Sequence, residues 1–437
     1  MFSSIFFDFT LPNSVTWFYF SFFLVITLFF RFKNIFSLRN LDLLLLYSIA
    51  PGLLMLHQAH NYLRTGGPPA SIQVSYIWLL GGSALVFLRT VLDLGLEKRP
   101  LIRPNLNKQA LLCLTIVLFV GLCVVAIRRI PDSPVDVGKS LPTFEKVQNN
   151  AMNVVSNTTR IVNLSEATTR FWVERIVVMI LHLGVSVLLV QIGVRHFHSR
   201  ASGMSMACLY MLLPYTAYHV SQVHHVLPMI FVLAAIYWSN YPSLAGAMMG
   251  IACGSMIFPV LAFPLWLGYY RGRGFLRFLL GFLISSVLML IVTSLILFLT
   301  GSLRDYLSVH QYIVDWKGWQ APTTESIWRG SHWAYRLPVM ILYGAFIVLT
   351  MFWPTPRTLA QVVAQTGAVF VGVQFWYSDQ GGVYVLWYLP LLLIVVFRCD
   401  PVREPSSEQE TASTPPYQKS LLRGRRSRKN HPTTGVI

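Results

Sequence analysis

Apolar residues run along this chain in solid blocks rather than in alternation. The blocks lie at 13–31, 41–60, 74–94, 109–128, 172–195, 203–219, 224–239, 243–270, 275–300, 336–353, 358–377 and 383–398. Runs of roughly 18 or more apolar residues are long enough to cross a bilayer as helices. A membrane barrel would alternate apolar and polar residues in short segments. Backbone groups in lipid must bond internally, so solid runs read as helices. The pattern predicts an all-α polytopic membrane protein with about 11–12 transmembrane segments, one broken helix pair and two long outward loops.

Charge orients these segments. Basic residues gather in "RFKNIFSLRN" (31–40), "EKRPLIRPNLNK" (97–108), "VRHFHSR" (194–200) and "YYRGRGFLR" (269–277), and in the tail from Arg398. Short cytoplasmic loops carry such an excess, so these stretches are assigned to the cytoplasm. The N-terminus and the loops 129–171 and 301–335 then face outward, and the C-terminus is cytoplasmic. The expected location is the cell membrane. Segment 243–270 must enter and leave on one side. It holds Gly250, Gly254, Pro259 and Pro264, which predicts two half-helices broken near Pro259.

Composition refines this picture. The 437 residues are 54% hydrophobic and 12% charged, with mean hydropathy +0.56. The formal net charge of +17 belongs to topology rather than to nucleic-acid binding. Four of the five cysteines lie inside apolar runs and no Cys-x-x-Cys pair occurs, so they read as small core residues. The first apolar run passes straight into "RFKN", the pattern of a retained helix. The organisation expected is N-terminal membrane helices at 1–108, a membrane core at 109–398 and a basic tail at 399–437. "EPSSEQETASTPP" in that tail cannot bury a core. The following "RGRRSRK" (423–429) reads as a solvated topology anchor or as a site for anionic lipid or RNA.

The outward loops hold the candidate chemistry. Asp132, Asp136 and Glu145 follow the helix at 109–128. A carboxylate at the membrane surface suits a general base acting on a hydroxyl, or merely solvates a helix end. The second loop carries Trp316, Trp319, Trp328 and Trp333 beside Arg329, His332 and Arg336. It reads as an aromatic belt, or as a site where tryptophan faces stack on sugar rings and arginines grip phosphate. "YHVSQVHHVLP" (218–228) places His219, His224 and His225 around Gln222. Zinc sites on helices favour i, i+3 or i, i+4 spacing with carboxylate or Cys partners, and none is near in sequence. No metal or other cofactor is assigned, though a divalent ion is left open. The preferred reading is an outward turn whose polar side chains reach a lipid-linked substrate.

Residues 213–274, from "LPYTAYHVSQVHHVLP" through "LAGAMMGIACGSMIFP" to "YYRGRG", resemble the polyprenyl-phosphate-dependent glycosyltransferases of superfamily C. The likeness is greatest to the bacterial mannosyltransferase-like branch, and it spans roughly 109–398. Ser221-Gln222 stands at that branch's Gly-Gln position and His224 at its Asn/Asp position. Met256 stands where a lysine is usual. The closing "YVLWYLP" run and "ESIWR" (325–329) are similar to its final helix and outer-loop element.

The resemblance implies an integral membrane hexosyltransferase that takes a sugar from a polyprenyl-phosphate carrier and inverts it by direct displacement. Asp136, or Asp132, would be the catalytic base. Gln222 and His224 would line the sugar pocket, Trp328 would bind substrate, and Arg329 and Arg336 would hold the phosphate. The partners implied are a lipid-linked sugar donor and membrane lipid. A transporter or flippase is the rival reading, and a non-catalytic membrane scaffold the third.

Overall fold

The computed structural model describes residues 14–64, 70–96, 102, 104–128, 166–272, 274–300, 326–354, 357–377 and 381–398. These belong to one compact unit. The described residues fold as helices and turns without strands. Among the described residues seven helices are long and apolar enough to cross a membrane, and three shorter apolar helices accompany them. The protein is therefore an all-α polytopic membrane protein.

In chain order the helices are α1 (Ser14–Phe29), α2 (Leu38–Leu45), α3 (Ala50–Arg64), α4 (Ala70–Leu92) and α5 (Lys108–Arg128). Next come α6 (Glu166–Phe197), α7 (Arg200–Leu212), α8 (Pro214–Tyr218), α9 (Val223–Tyr237), α10 (Pro242–Ser255) and α11 (Phe263–Tyr269). The last are α12 (Phe275–Thr300), α13 (Leu337–Phe352), α14 (Leu359–Trp376) and α15 (Leu389–Phe397).

Local chemistry explains the boundaries. The Ser199 hydroxyl accepts from the Ser202 amide at the start of α7. Thr358 and Gln361 bond reciprocally to each other's amides, a capping box that opens α14. Leu213 is extended and Pro214 begins α8 at a position that needs no amide donor.

Segment 243–270 is broken, as its glycines and prolines predict. Met256 is extended, and a 3₁₀ turn (Phe258–Ala262) separates α10 from α11. The break starts three residues before Pro259, because the helix must already end before a proline ring that clashes with the preceding turn. The 383–398 block is not one spanning helix. After a 3₁₀ turn (Val385–Trp387) only the nine residues of α15 are helical. At 1.5 Å per residue that is about 14 Å, half a bilayer core. Every residue of α15 is buried, so it plugs the bundle interior beside the largely buried α14.

Lipid offers no hydrophobic drive between helices, so small residues set their contact. Gly246, Gly250 and Gly254 repeat every four residues along α10 and face α12. A methyl at Gly246 would overlap the Phe278 carbonyl, and one at Gly250 the Ser285 hydroxyl. Gly281 on α12 faces the Ser243 carbonyl in return. Similarly, Gly193 of α6 meets Gly203 of α7 backbone to backbone.

Polar anchors tie the N-terminal helices to this bundle. Trp17 Nε1 donates to Leu212 O at 3.0 Å and the Tyr215 hydroxyl to Leu46 O at 2.6 Å. Helix ends gather in two groups. One holds the basic turns: Arg39 Nε donates to Phe29 O at 3.1 Å, Arg195 lies over the Tyr237 ring, and the Tyr270 hydroxyl donates to Ser239 O at 2.7 Å. The other holds the turn at 219–222 and the return at 381–388.

Candidate functional site

The stretch 218–225 folds back on itself between α8 and α9. The His219 amide bonds to Tyr215 O, the Gln222 amide to His219 O and the His225 amide to Gln222 O. This tight turn carries the polar residues inward. His219 and His225 are fully buried, and Gln222 and His224 nearly so. His219 Nδ1–H donates to Gln222 Oε1 at 2.6 Å, which sets the histidine's tautomer and holds both side chains in place.

The rings stack rather than converge. His219 and His225 lie 4.0 Å apart at 23°, and His225 stacks on Tyr384 at 5.2 Å and 23°. Tyr384 stacks on Trp387 at 4.1 Å, and Trp387 on Phe258 at 3.9 Å. Imidazole lone pairs lie in the ring plane, so near-parallel stacked rings aim them side by side instead of at one ion. Among the described residues no three His, Cys, Asp or Glu side chains group as metal ligands. His224 packs at 4.4 Å on His225, and its carbonyl accepts from Trp387 Nε1 at 3.3 Å.

Four other segments complete the site. From α6, the buried Arg175 donates through Nη1 to Ser221 O at 3.3 Å, with its guanidinium 4.9 Å over Phe171. From α3, His57 meets Tyr218 edge-on at 6.3 Å. From α14, Gln374 Oε1 accepts from the amides of Gly382, at 2.8 Å, and Tyr384. Gly382 has φ +90 and lies against Leu79, a turn only glycine makes easily. From the second loop, Trp328 Nε1 donates to Phe375 O at 3.0 Å, next to Gln374.

Gln222, His224 and Trp328 thus belong to one connected end of the bundle. Trp328 joins the histidine stack through Phe375, Gln374 and Tyr384. Arg329, beside Trp328, is exposed. Arg336 is buried in the 3₁₀ turn (Trp333–Arg336) that opens α13. Asp132, Asp136 and Glu145 lie outside the described residues, as do 301–325 and the basic tail.

Sequence reasoning passed over Arg175, His57, Gln374 and Tyr384. Arg175 was visible only as a charge near a helix start. The other three carry no spacing that links them to the 218–225 turn. Met256 is buried and apolar, and Arg175 is a cation that touches the turn. Comparison with family models, with curated proteins and with solved structures finds no match.

Proposed function

We propose that this protein is an integral membrane glycosyltransferase that moves a hexose from a polyprenyl-phosphate carrier to an acceptor at the outer face. One observation carries the reading. A buried guanidinium, a glutamine–histidine pair and an aromatic stack meet at one end of the bundle, drawn from segments far apart in sequence. Aromatic faces and amide groups suit a sugar ring, and a guanidinium suits phosphate. Gln222 and His224 line the sugar pocket. Arg175 joins Arg329 and Arg336 as the cations that hold the phosphate, and Trp328 braces the pocket wall. Asp136, with Asp132 as its alternate, is the base that deprotonates the acceptor hydroxyl. The carrier phosphate leaves as the new glycosidic bond forms. The N-terminus faces outward and the C-terminus lies in the cytoplasm.

The purified chain, reconstituted with polyprenyl-phosphate hexoses and tested for transfer, checks this. Asp136→Asn should lower the rate by about 10²–10⁴-fold, the usual contribution of a general base. Wild-type protein that transfers no hexose from any such carrier would end the enzyme reading.

A second reading, a transporter or flippase, has one observation in its favour. Asp42 and Asp93 are buried and Arg89 is half-buried, all three within candidate membrane spans, and such groups often mark transport paths. Carrier-dependent flux without transfer in the same vesicles would select it.

A further inference from the structure

At the opposite, basic end of the bundle a crevice of about 710 Å³ opens between the start of α5 and the α6–α7 turn. That volume is within the range of small-molecule sites. Its lining divides by chemistry. Ile102, Leu106 and Ala201 form an apolar side, and Lys108, Gln109 and Ser199 a polar rim. The walls are held in place. Asn105 donates through Nδ2 to Thr27 O at 2.9 Å and through its amide to Leu28 O at 2.8 Å. Asn107 Oδ1 accepts from the Ala110 amide, and Ser199 Oγ from the Ser202 amide. Both helix starts are therefore capped by rim side chains, and the recognition chemistry falls to the other lining residues.

One cation lines the crevice and a second adjoins its lining in sequence. Lys108 is a lining residue, and Arg200 lies between the lining residues Ser199 and Ala201. Both are exposed, and among the described residues neither forms an ion pair. Among the described residues no Asp or Glu lines the crevice. Arg195, one turn earlier, is otherwise engaged, its guanidinium 4.7 Å over Tyr237 and 5.6 Å over Tyr241.

A crevice with an apolar side, a polar rim and two uncompensated cations, at the end of membrane helices, matches one kind of ligand. We infer that it seats the headgroup of an anionic phospholipid from the adjoining leaflet. The phosphate meets Lys108 and Arg200, and the glycerol region lies against Ile102 and Leu106. Basic pockets between membrane helices bind anionic headgroups through this combination of charge and shelter. A soluble phosphate would find the same cations but leave the apolar side unused.

The full-length protein in neutral detergent, titrated with phosphatidylglycerol or phosphatidylcholine and read by native mass spectrometry, tests the site. Phosphatidylglycerol should bind the wild type more tightly. Lys108→Gln with Arg200→Gln should weaken it by about fivefold per cation removed and leave phosphatidylcholine unchanged. Gln109→Trp keeps both cations and obstructs the mouth from an exposed position. It should weaken phosphatidylglycerol to a similar extent, and it decides alone if the double variant does not purify. Undiminished binding to Gln109→Trp would mean diffuse surface charge and overturn the site. Displacement of the lipid by equimolar inorganic phosphate would overturn the assignment to lipid.

Discussion

Arg89 grips Asp42 with two hydrogen bonds across 47 residues of sequence, Nε to Oδ1 at 2.6 Å and Nη2 to Oδ2 at 2.9 Å. Its remaining nitrogen, Nη1, reaches Asp93 Oδ1 at 3.1 Å, and Arg398 approaches the other oxygen of Asp93 at 3.7 Å. Two acids and two arginines make a neutral, almost fully buried set that ties α2 and α4 to the end of α15. Removing one member leaves its partners charged in a low-dielectric site.

Asp42→Asn and Arg89→Gln are therefore expected to destabilise the protein by about 3–5 kcal/mol each. The double variant should cost less than the sum, because both remove the same contact. Thermal unfolding in detergent checks both statements. Additive losses would show that the pair is not coupled.

Glycine spacing gives a second expectation. Gly250→Ala places a methyl on the Ser285 hydroxyl and within 2.6 Å of the Phe282 carbonyl. Backbone cannot step aside, so a loss of about 1–3 kcal/mol is expected, as for other overpacked sites. Gly81→Ala is the control, since no atom lies within 4 Å of the added carbon. Equal melting temperatures for the two variants would refute the close α10–α12 contact.

Gln374 holds the return at 381–388 against the histidine stack. Gln374→Leu leaves two buried amides, those of Gly382 and Tyr384, without their acceptor. The expected cost is about 1–3 kcal/mol per unsatisfied group. If the proposed transfer activity is present, it should fall more steeply than stability, because Tyr384 loses its position beside His225. Activity that tracks the folded fraction alone would give Gln374 a structural role only.

Topology is testable without any substrate. Reporter fusions after residues 150 and 410 should sit on opposite sides of the membrane, the first outside and the second in the cytoplasm. The basis is the Lys and Arg excess of the short turns. A cytoplasmic signal at 150 would put Asp136 on the wrong side for the proposed chemistry.

The all-helical membrane class was determined by sequence alone, because the bilayer is a uniform solvent that reads local composition. A lipid-exposed apolar run must satisfy its backbone internally there, which favours a helix. The break in 243–270 was legible for the same local reason: glycines and prolines act on the backbone that carries them. Gln222, His224 and Trp328 could be named as polar or aromatic residues at helix ends. Their connection could not. The stack from His219 to Phe258 joins three segments, and Arg175 reaches Ser221 across 46 residues. The buried character of α15 was equally hidden, since its apolar sequence satisfies lipid and protein interior alike. Only its packing against α14 and α7 decided that it faces other helices. Local hydropathy fixes how each segment is solvated; which segments meet depends on complementary shapes and charges that a linear pattern does not encode.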